Sequence, residues 1–373
     1  MLGRKFLKFL TRIKGYVNAY SVSIFKSTDI SLEPLKKLNI GIVGFGHQGR
    51  AQALNLLDSG FHVSIGLRVE SPSRQQARKY GLPIFAVSEL VQKSDLIMLL
   101  IPDEAQEKVY REEIEPFLSK DKILGFSHGF NLVFEKIRLP ENNEYILVAP
   151  KATGIEVRKA YLKGAGAPAA VTWKSEQSRD ITLAYAKAIG CAHNVVFKTT
   201  LQEEVFSNLF SEQCALPGGV IEILKKSYEV LIEKGISPLM AYFECFYKLK
   251  ILVDVLDQKG IEGFYRSISS TASLGALTIG PRVIDNNVKD KMKTVFNEIA
   301  LRCHPSTQVP ASAGINSGWD LEKNDPKLLE DLLLKERNHP LEKMFSEMRA
   351  LLSPGFSKSE NVFCETKKTF SDA

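Results

Sequence analysis

No apolar run in the 373 residues approaches the roughly 18–20 needed to cross a bilayer, which excludes an integral membrane protein. Cysteine is scarce: the five, at positions 191, 214, 245, 303 and 364, form no C-x-x-C or zinc-type spacing. That excludes a disulfide scaffold and points to reduced thiols in a reducing compartment such as the cytoplasm. There is no internal repeat. The basic excess is slight, 49 Lys and Arg against 43 Asp and Glu, so the net charge of +6 reads as solubility and not as nucleic-acid binding. What remains is ordinary globular composition, 44% hydrophobic and 25% charged, with 25 Gly and 16 Pro. The length predicts two domains, each with enough chain for its own core.

Acidic residues are absent before Asp29, whereas Arg4, Lys5, Lys8, Arg12, Lys14 and Lys26 fall in the first 26 residues. Leu2, Phe6, Phe9, Leu10, Ile13 and Val17 recur at helical spacing, which would give one apolar and one basic face. Residues 1–26 therefore read as a basic extension with three alternatives. It could be an organelle transit peptide, a membrane-surface anchor, or an extension of no consequence. A secretory signal is excluded by the lack of an apolar core of about 7–15 residues.

From there, short apolar runs alternate with helical patterns. Runs at Ile40–Gly44, Val63–Gly66, Leu96–Ile101, Ile123–Phe126, Ile146–Ala149 and Ala169–Trp173 read as strands. Gln48–Leu57 and Ser73–Lys79 read as helices between them. This alternation predicts a parallel sheet covered on both faces, a Rossmann-type α/β domain over residues 27–200. After Val196 the spacing becomes helical, with Leu201–Asp257, Asp285–Arg302 and Lys327–Leu352 as long segments. Residues 201–353 are thus predicted to be all-α, with a long loop between Cys303 and Asp325 and an unstructured tail over 354–373.

Gly44-Phe45-Gly46-His47-Gln48-Gly49 directly follows the strand Asn39–Val43 and opens a helix. In that context the first Gly allows a tight turn, the second lets backbone approach a pyrophosphate, and the third lets helix pack on strand. The next strand ends Gly66-Leu67-Arg68, followed by Ser71 and Ser73. An arginine and two hydroxyls suit a ribose 2′-phosphate, so NADP(H) is predicted over NAD(H), although Glu70 in the same loop would repel that phosphate if turned inward. Pro102-Asp103 lies at a strand's carboxyl end, where ligands bind in this architecture, or else forms a turn or helix cap. His128 in Ser127-His128-Gly129-Phe130 and Lys151 in Ala149-Pro150-Lys151 also follow strands. Each could polarise a carbonyl or orient a base, or be an ordinary loop residue.

The series IGIVGFGHQGRAQALNLLDSG, GLRVESPS, LLIPDEAQEKVY, FSHGFN, VAPKATG, NLFSEQ, YFECFYKLK, SISSTA and GPRVID resembles the ketol-acid reductoisomerase family, in order and at matching spacing. The resemblance runs from about Ile24 to Asp285, is nearest to the short class, and has a weaker echo in His339-Pro340-Leu341-Glu342. It implies a knotted helical second domain, and a homodimer with active sites shared between subunits. It also implies a small keto-acid substrate of branched-chain amino-acid synthesis: two Mg²⁺ ions drive alkyl migration, and NADPH then reduces the product. By the same resemblance Gln48 lies at the pyrophosphate, Gln106 and Asp103 near the adenine, and Gly154 in the cofactor loop. Glu244, Ile268, Ser269 and Ala272 would face substrate from the other subunit, although Ser269 alone would read as a helix cap.

Here the sequence departs from the family. The bridging Asp falls at Asn208, four residues before Glu212; of the second pair Glu244 is kept but the other position is Lys248. Four carboxylates thus become two, with one neutral amide and one ammonium, and an amide oxygen cannot bridge two ions as a carboxylate does. Mg²⁺ is therefore doubtful, with at most one weak ion at Asn208, Glu212 and Glu244. Pro217 stands where the family has Cys and is expected to kink or break its helix; Ser273 replaces a Glu. Three functions follow: a working reductoisomerase, a metal-independent keto-acid or imine reductase with Lys151 or Lys248 as acid, or a nucleotide-binding homologue without chemistry.

Overall fold

The structure is a computed structural model that describes residues 23–301 and 326–352. The basic extension through residue 22, the whole stretch predicted as a loop between Cys303 and Asp325, and the tail lie outside the described residues. The chain divides into two compact units, the first spanning residues through 132 and 136–204, the second 133–135 and 205 onward.

The first unit is built on nine strands: β1 Ile24–Phe25, β2 Ile40–Val43, β3 Val63–Gly66, β4 Ile84–Phe85, β5 Leu96–Leu99, β6 Ile123–Phe126, β7 Glu144–Pro150, β8 Ala169–Trp173 and β9 Val196–Lys198. Their order across the sheet is β1-β9-β8-β7-β6-β5-β2-β3-β4. β2, β5 and β6 are buried at every position, as unbroken apolar runs must be when helices cover both faces. The parallel sheet expected from the alternation is present and carries two antiparallel pairings in addition. β7 pairs antiparallel with β8, and β1 antiparallel with β9. Between β7 and β8 lies a single helix, which here returns the chain alongside instead of crossing over. Periodicity did not mark β1, β4 or β9, which are two or three residues long.

Helices α1 His47–Asp58, α2 Ser73–Lys79, α3 Val87–Lys93, α4 Asp103–Val109, α5 Gly154–Leu162 and α6 Glu176–Ala188 flank the sheet. One core cluster gathers Ile42, Ile65, Met98, Val171 and Tyr185, and a second gathers Val43, Leu90, Ile97, Leu124 and Phe126. Each such side chain contributes about 1.5–3 kcal/mol when withdrawn from water. Beneath α1 and α5 the wholly buried Arg158 pairs with Asp58 at 2.8 Å and donates to Asn55 Oδ1 at 2.8 Å.

The second unit is helical throughout its described part. α7 Leu201–Phe210 crosses the division between units and runs without a break into a widened, five-residue-spaced segment, Ser211–Val220, then α8 Ile221–Glu233. Pro217 therefore does not break the helix. In the wider register the Gln213 carbonyl sits under Gly218, where a Cβ would lie only 1.9 Å from it. The Gln213 carbonyl, four residues before Pro217 and so the one its missing N–H could not serve, thus faces the residue five positions on. Pro238–Tyr242 and a second widened turn, Phe243–Tyr247, lead into α9 Lys248–Arg266, which is interrupted at Gly260. α10 Ser270–Val283, α11 Asn286–Leu301, α12 Pro326–Asn338 and α13 Pro340–Leu352 complete it. The last expected segment is thus two helices parted at His339. Tyr242 and Phe246 pack edge-on against Phe345, at 5.6 and 4.2 Å between ring centres.

Candidate functional site

The sheet order puts a topological switch between β2 and β5: the chain leaves β2 for β3 and β4 on one side, then returns to β5 on the other. Ligands of open α/β sheets bind in the crevice outside that point. The glycine turn occupies one side of it. Gly44 has φ of +102°, and a Cβ there would strike Ile101 and the Leu100 carbonyl at 2.6 and 2.7 Å. Gly46 has no neighbour within 4 Å of where its Cβ would be, leaving the turn's face open to a ligand. A Cβ on Gly49 would lie 2.5 Å from the Gly44 carbonyl, so helix–strand contact depends on its absence. Phe45 is buried, His47 exposed and Gln48 half-buried.

Gly154 opens α5 directly against the start of α1: its Cβ would sit 2.2 Å from the His47 carbonyl oxygen. Gln48 Nε2 donates to the Ala152 carbonyl at 3.0 Å, tying the two beginnings together. Two helix N-termini, each with free N–H groups, thus face the same side. Behind them Tyr185, whose phenol is pushed well up by burial and stays protonated, donates to Gln52 Oε1 at 2.9 Å. That fixes the Gln52 amide, whose nitrogen donates to Gln48 Oε1 and Ser127 Oγ at 3.1 and 2.9 Å.

Across the switch, Pro102 precedes α4 and Asp103 is its first residue. Asp103 Oδ2 lies 2.7 Å from His128 Nδ1, each side chain about a quarter exposed. Its other oxygen accepts from Gln106 Nε2 at 3.1 Å, and Asn131 Nδ2 bridges the Asp103 carbonyl and Gln106 Oε1. A carboxylate accepts only, so the proton sits on Nδ1 and the basic lone pair of the neutral ring on Nε2. Lys151, just beyond β7, pairs with Glu204 at 2.7 Å; that carboxylate is 2% exposed, a position tenable only with a charge partner. Arg68 and Glu70 are both exposed in the loop after β3, Ser71 donates its N–H to the Arg68 carbonyl, and Ser73 is the first residue of α2.

Gln52, Asn131, Tyr185 and Glu204 were not singled out in the sequence. Gln52 carried a signal, since it is a polar residue among the buried Ala51, Ala53, Leu54 and Leu56 of α1. Glu204 carried a weaker one, in an acidic pair just after β9.

The residues assigned to metal and substrate by resemblance all fall in the helical unit, mostly exposed. Asn208 Nδ2 is 3.4 Å from Glu212 Oε1, and Lys248 Nζ is 2.5 Å from Glu244 Oε2, each pair one helical turn apart. Ser269 caps α10 by accepting the Ala272 N–H at 3.2 Å, with Ile268 and Ala272 exposed beside it. Ser273 Oγ donates back to the Tyr265 and Ser269 carbonyls. This donor set does not fit two Mg²⁺ ions, hard cations that each demand near-octahedral oxygen coordination.

A glycine turn at a switch point, two converging helix starts and a helical second unit define a dinucleotide-binding protein of the Rossmann class. The comparisons narrow the class. Residues 34–194 match the model of the acetohydroxy acid isomeroreductase NADPH-binding domain, and residues 201–353 that of the ketol-acid reductoisomerase C-terminal domain. A ketol-acid reductoisomerase (NADP(+)) of Pyrococcus abyssi is 40% identical over 87% of this chain and 95% of its own length. That of Pyrobaculum aerophilum is 44% identical over 88% and 98%. An NADH-preferring ketol-acid reductoisomerase from an uncultured archean superposes with a TM-score of 0.81 at 35% identity, covering 89% of this chain and 99% of its own. This chain belongs to the ketol-acid reductoisomerase family.

Proposed function

We propose that the chain is an NADP(H)-dependent oxidoreductase of the ketol-acid reductoisomerase type, acting on 2-hydroxy-3-keto or 2-keto acids of branched-chain amino-acid synthesis. The observation that carries this is the intact polar assembly at the strand ends: Gln48 tied to the second helix start, His128 held by Asp103, and Lys151 held by Glu204. Gly44, Phe45, Gly46, His47, Gln48, Gly49 and Gly154 would form the phosphate cradle, with Pro102 and Gln106 lining the cofactor groove beside it; Asp103, bound to His128, would lie toward the reacting carbonyl. Arg68, Ser71 and Ser73 would receive the 2′-phosphate. NADPH, when bound, would supply a hydride to the substrate's carbonyl carbon, and the carbonyl oxygen, taking the C=O π pair, would need a proton. The Lys151 ammonium or the His128 imidazolium would supply it.

Glu244, Ile268, Ser269 and Ala272 would complete the pocket of a partner subunit. The apolar surface of the helical unit supports a homodimer: Ile261, Leu274, Leu277 and Val283 are each more than half exposed, apolar area that a second copy would cover. Among the described residues no helix is long and apolar enough to cross a membrane. Cys191, Cys214 and Cys245 are free thiols, which suits the cytoplasm.

The experiment is to titrate the full chain with NADPH and NADH by nicotinamide fluorescence, then to follow NADPH oxidation with 2-acetolactate and with a 3-hydroxy-2-keto acid, with Mg²⁺ and with EDTA. Tighter binding of NADPH and oxidation of it with either acid are expected. Failure to bind either nucleotide would sink the proposal; binding without turnover would favour the homologue without chemistry.

A further inference from the structure

We propose that Lys248 is an internal cation standing in for a divalent ion beside Glu244, so that this chain holds NADP(H) without taking up a pair of magnesium ions. The inference rests on the family reading above and concerns only its metal half. Its ground is the geometry of two helical turns. Glu244 Oε2 and Lys248 Nζ are already in contact at 2.5 Å, so the ammonium satisfies the carboxylate that an ion would need. On α7 the Asn208 amide nitrogen is turned toward Glu212 in the widened segment, where an ionised Asp would present a second anionic oxygen.

Ser273, where the family has Glu, returns its hydroxyl to the Tyr265 and Ser269 carbonyls and supplies no charge. Two carboxylates, an amide and an ammonium sum to −1, where the family's four carboxylates sum to −4, and the ammonium already seated on Glu244 repels a dication brought to that carboxylate. Hard cations are bound by anionic and neutral oxygens; an ammonium offers three donors and no acceptor. The same surface that loses dication affinity gains an ordinary i,i+4 ion pair, which needs no metal to hold its shape. Reduction by this chain is accordingly insensitive to chelators.

The test titrates the NADPH-loaded full chain with Mn²⁺, reading the free ion by electron paramagnetic resonance and nucleotide binding by fluorescence in the same samples. Wild type is expected to show no saturable Mn²⁺ uptake while binding NADPH. The double variant Asn208→Asp/Lys248→Glu restores the carboxylates and is expected to tighten Mn²⁺ binding by about tenfold or more. Lys248→Gln, which keeps the helix surface, is a milder second probe and should raise Mn²⁺ affinity by a smaller factor. Saturable uptake of two Mn²⁺ per wild-type chain overturns the inference, as does an affinity unmoved in both variants. A chain that binds NADPH and two Mn²⁺ overturns this inference alone. One that binds neither overturns the proposed function, and with it the nucleotide half of this inference.

Discussion

The two units treat their polar side chains in opposite ways. In the nucleotide unit they are withdrawn and answered: Gln52 and Asn131 are buried, Glu204 is 2% exposed against Lys151, and Arg158 is wholly enclosed against Asp58. In the helical unit Glu212, Glu244 and Lys248 stand in solvent and pair one turn away on their own helix. Enclosed networks fail when one member changes, because a buried group left without its partner costs its full desolvation. Solvated pairs tolerate exchange at about 0.2–1 kcal/mol. Exchange of the exposed Glu212, Glu244 or Lys248 is therefore expected to leave the fold intact, whereas exchange of the enclosed Gln52, Glu204 or Arg158 is not.

The sharpest contrast should come from matched charge removals. Asp58→Asn leaves the Arg158 guanidinium enclosed and is expected to cost about 3–5 kcal/mol in urea unfolding. Lys248→Gln should move the same midpoint by no more than about 0.5 kcal/mol. Equal effects would break the comparison. Gly154→Val comes next: its side chain would be driven into the His47 carbonyl, costing about 1–3 kcal/mol of stability and weakening NADPH binding in a fluorescence titration.

Asp103→Asn should then lower kcat/KM for keto-acid reduction by about 10²-fold, since an amide nitrogen can present itself to Nδ1 and favour the other tautomer. The pH profile should shift with it, as a merely structural loss would not require. The smallest effect is alkaline. Burial pushes the Cys191 thiol up to about 12 from its ordinary value of 9.0, so between those pH values the unfolded chain sheds a proton that the folded chain keeps. Stability is therefore intact below pH 9 and falls above it, by at most about 1.4 kcal/mol per pH unit for this group. Thermal midpoints measured across that range should decline, and Cys191→Ala should remove part of the decline. Cys214 and Cys245 in the helical unit, raised by slighter burial, should add less.

Much of the nucleotide unit was legible because its signals are local. A buried strand is an apolar run, and the glycines of the turn recur within six residues, directly between a strand and a helix. What was hidden depended on contacts distant in sequence. Glu204 meets Lys151 across 53 positions and Tyr185 meets Gln52 across 133, and no spacing rule reports such pairs. The reversal of β8 against β7 was hidden likewise, since one helix can either cross over a sheet or fold back. Pro217 misled for a different reason. The rule that proline breaks helices assumes four-residue spacing, and here the ladder changes its spacing around it.

That widened segment sets a rotational phase. Successive helical residues step about 100° around the axis, and each return to the narrower ladder fixes the bearing of everything downstream. The ten residues from Ser211 to Val220 therefore act as an angular spacer between α7, which carries Asn208, and α8. Deleting a single residue there would leave the composition of the helix nearly untouched, yet swing its far end by more than a quarter turn.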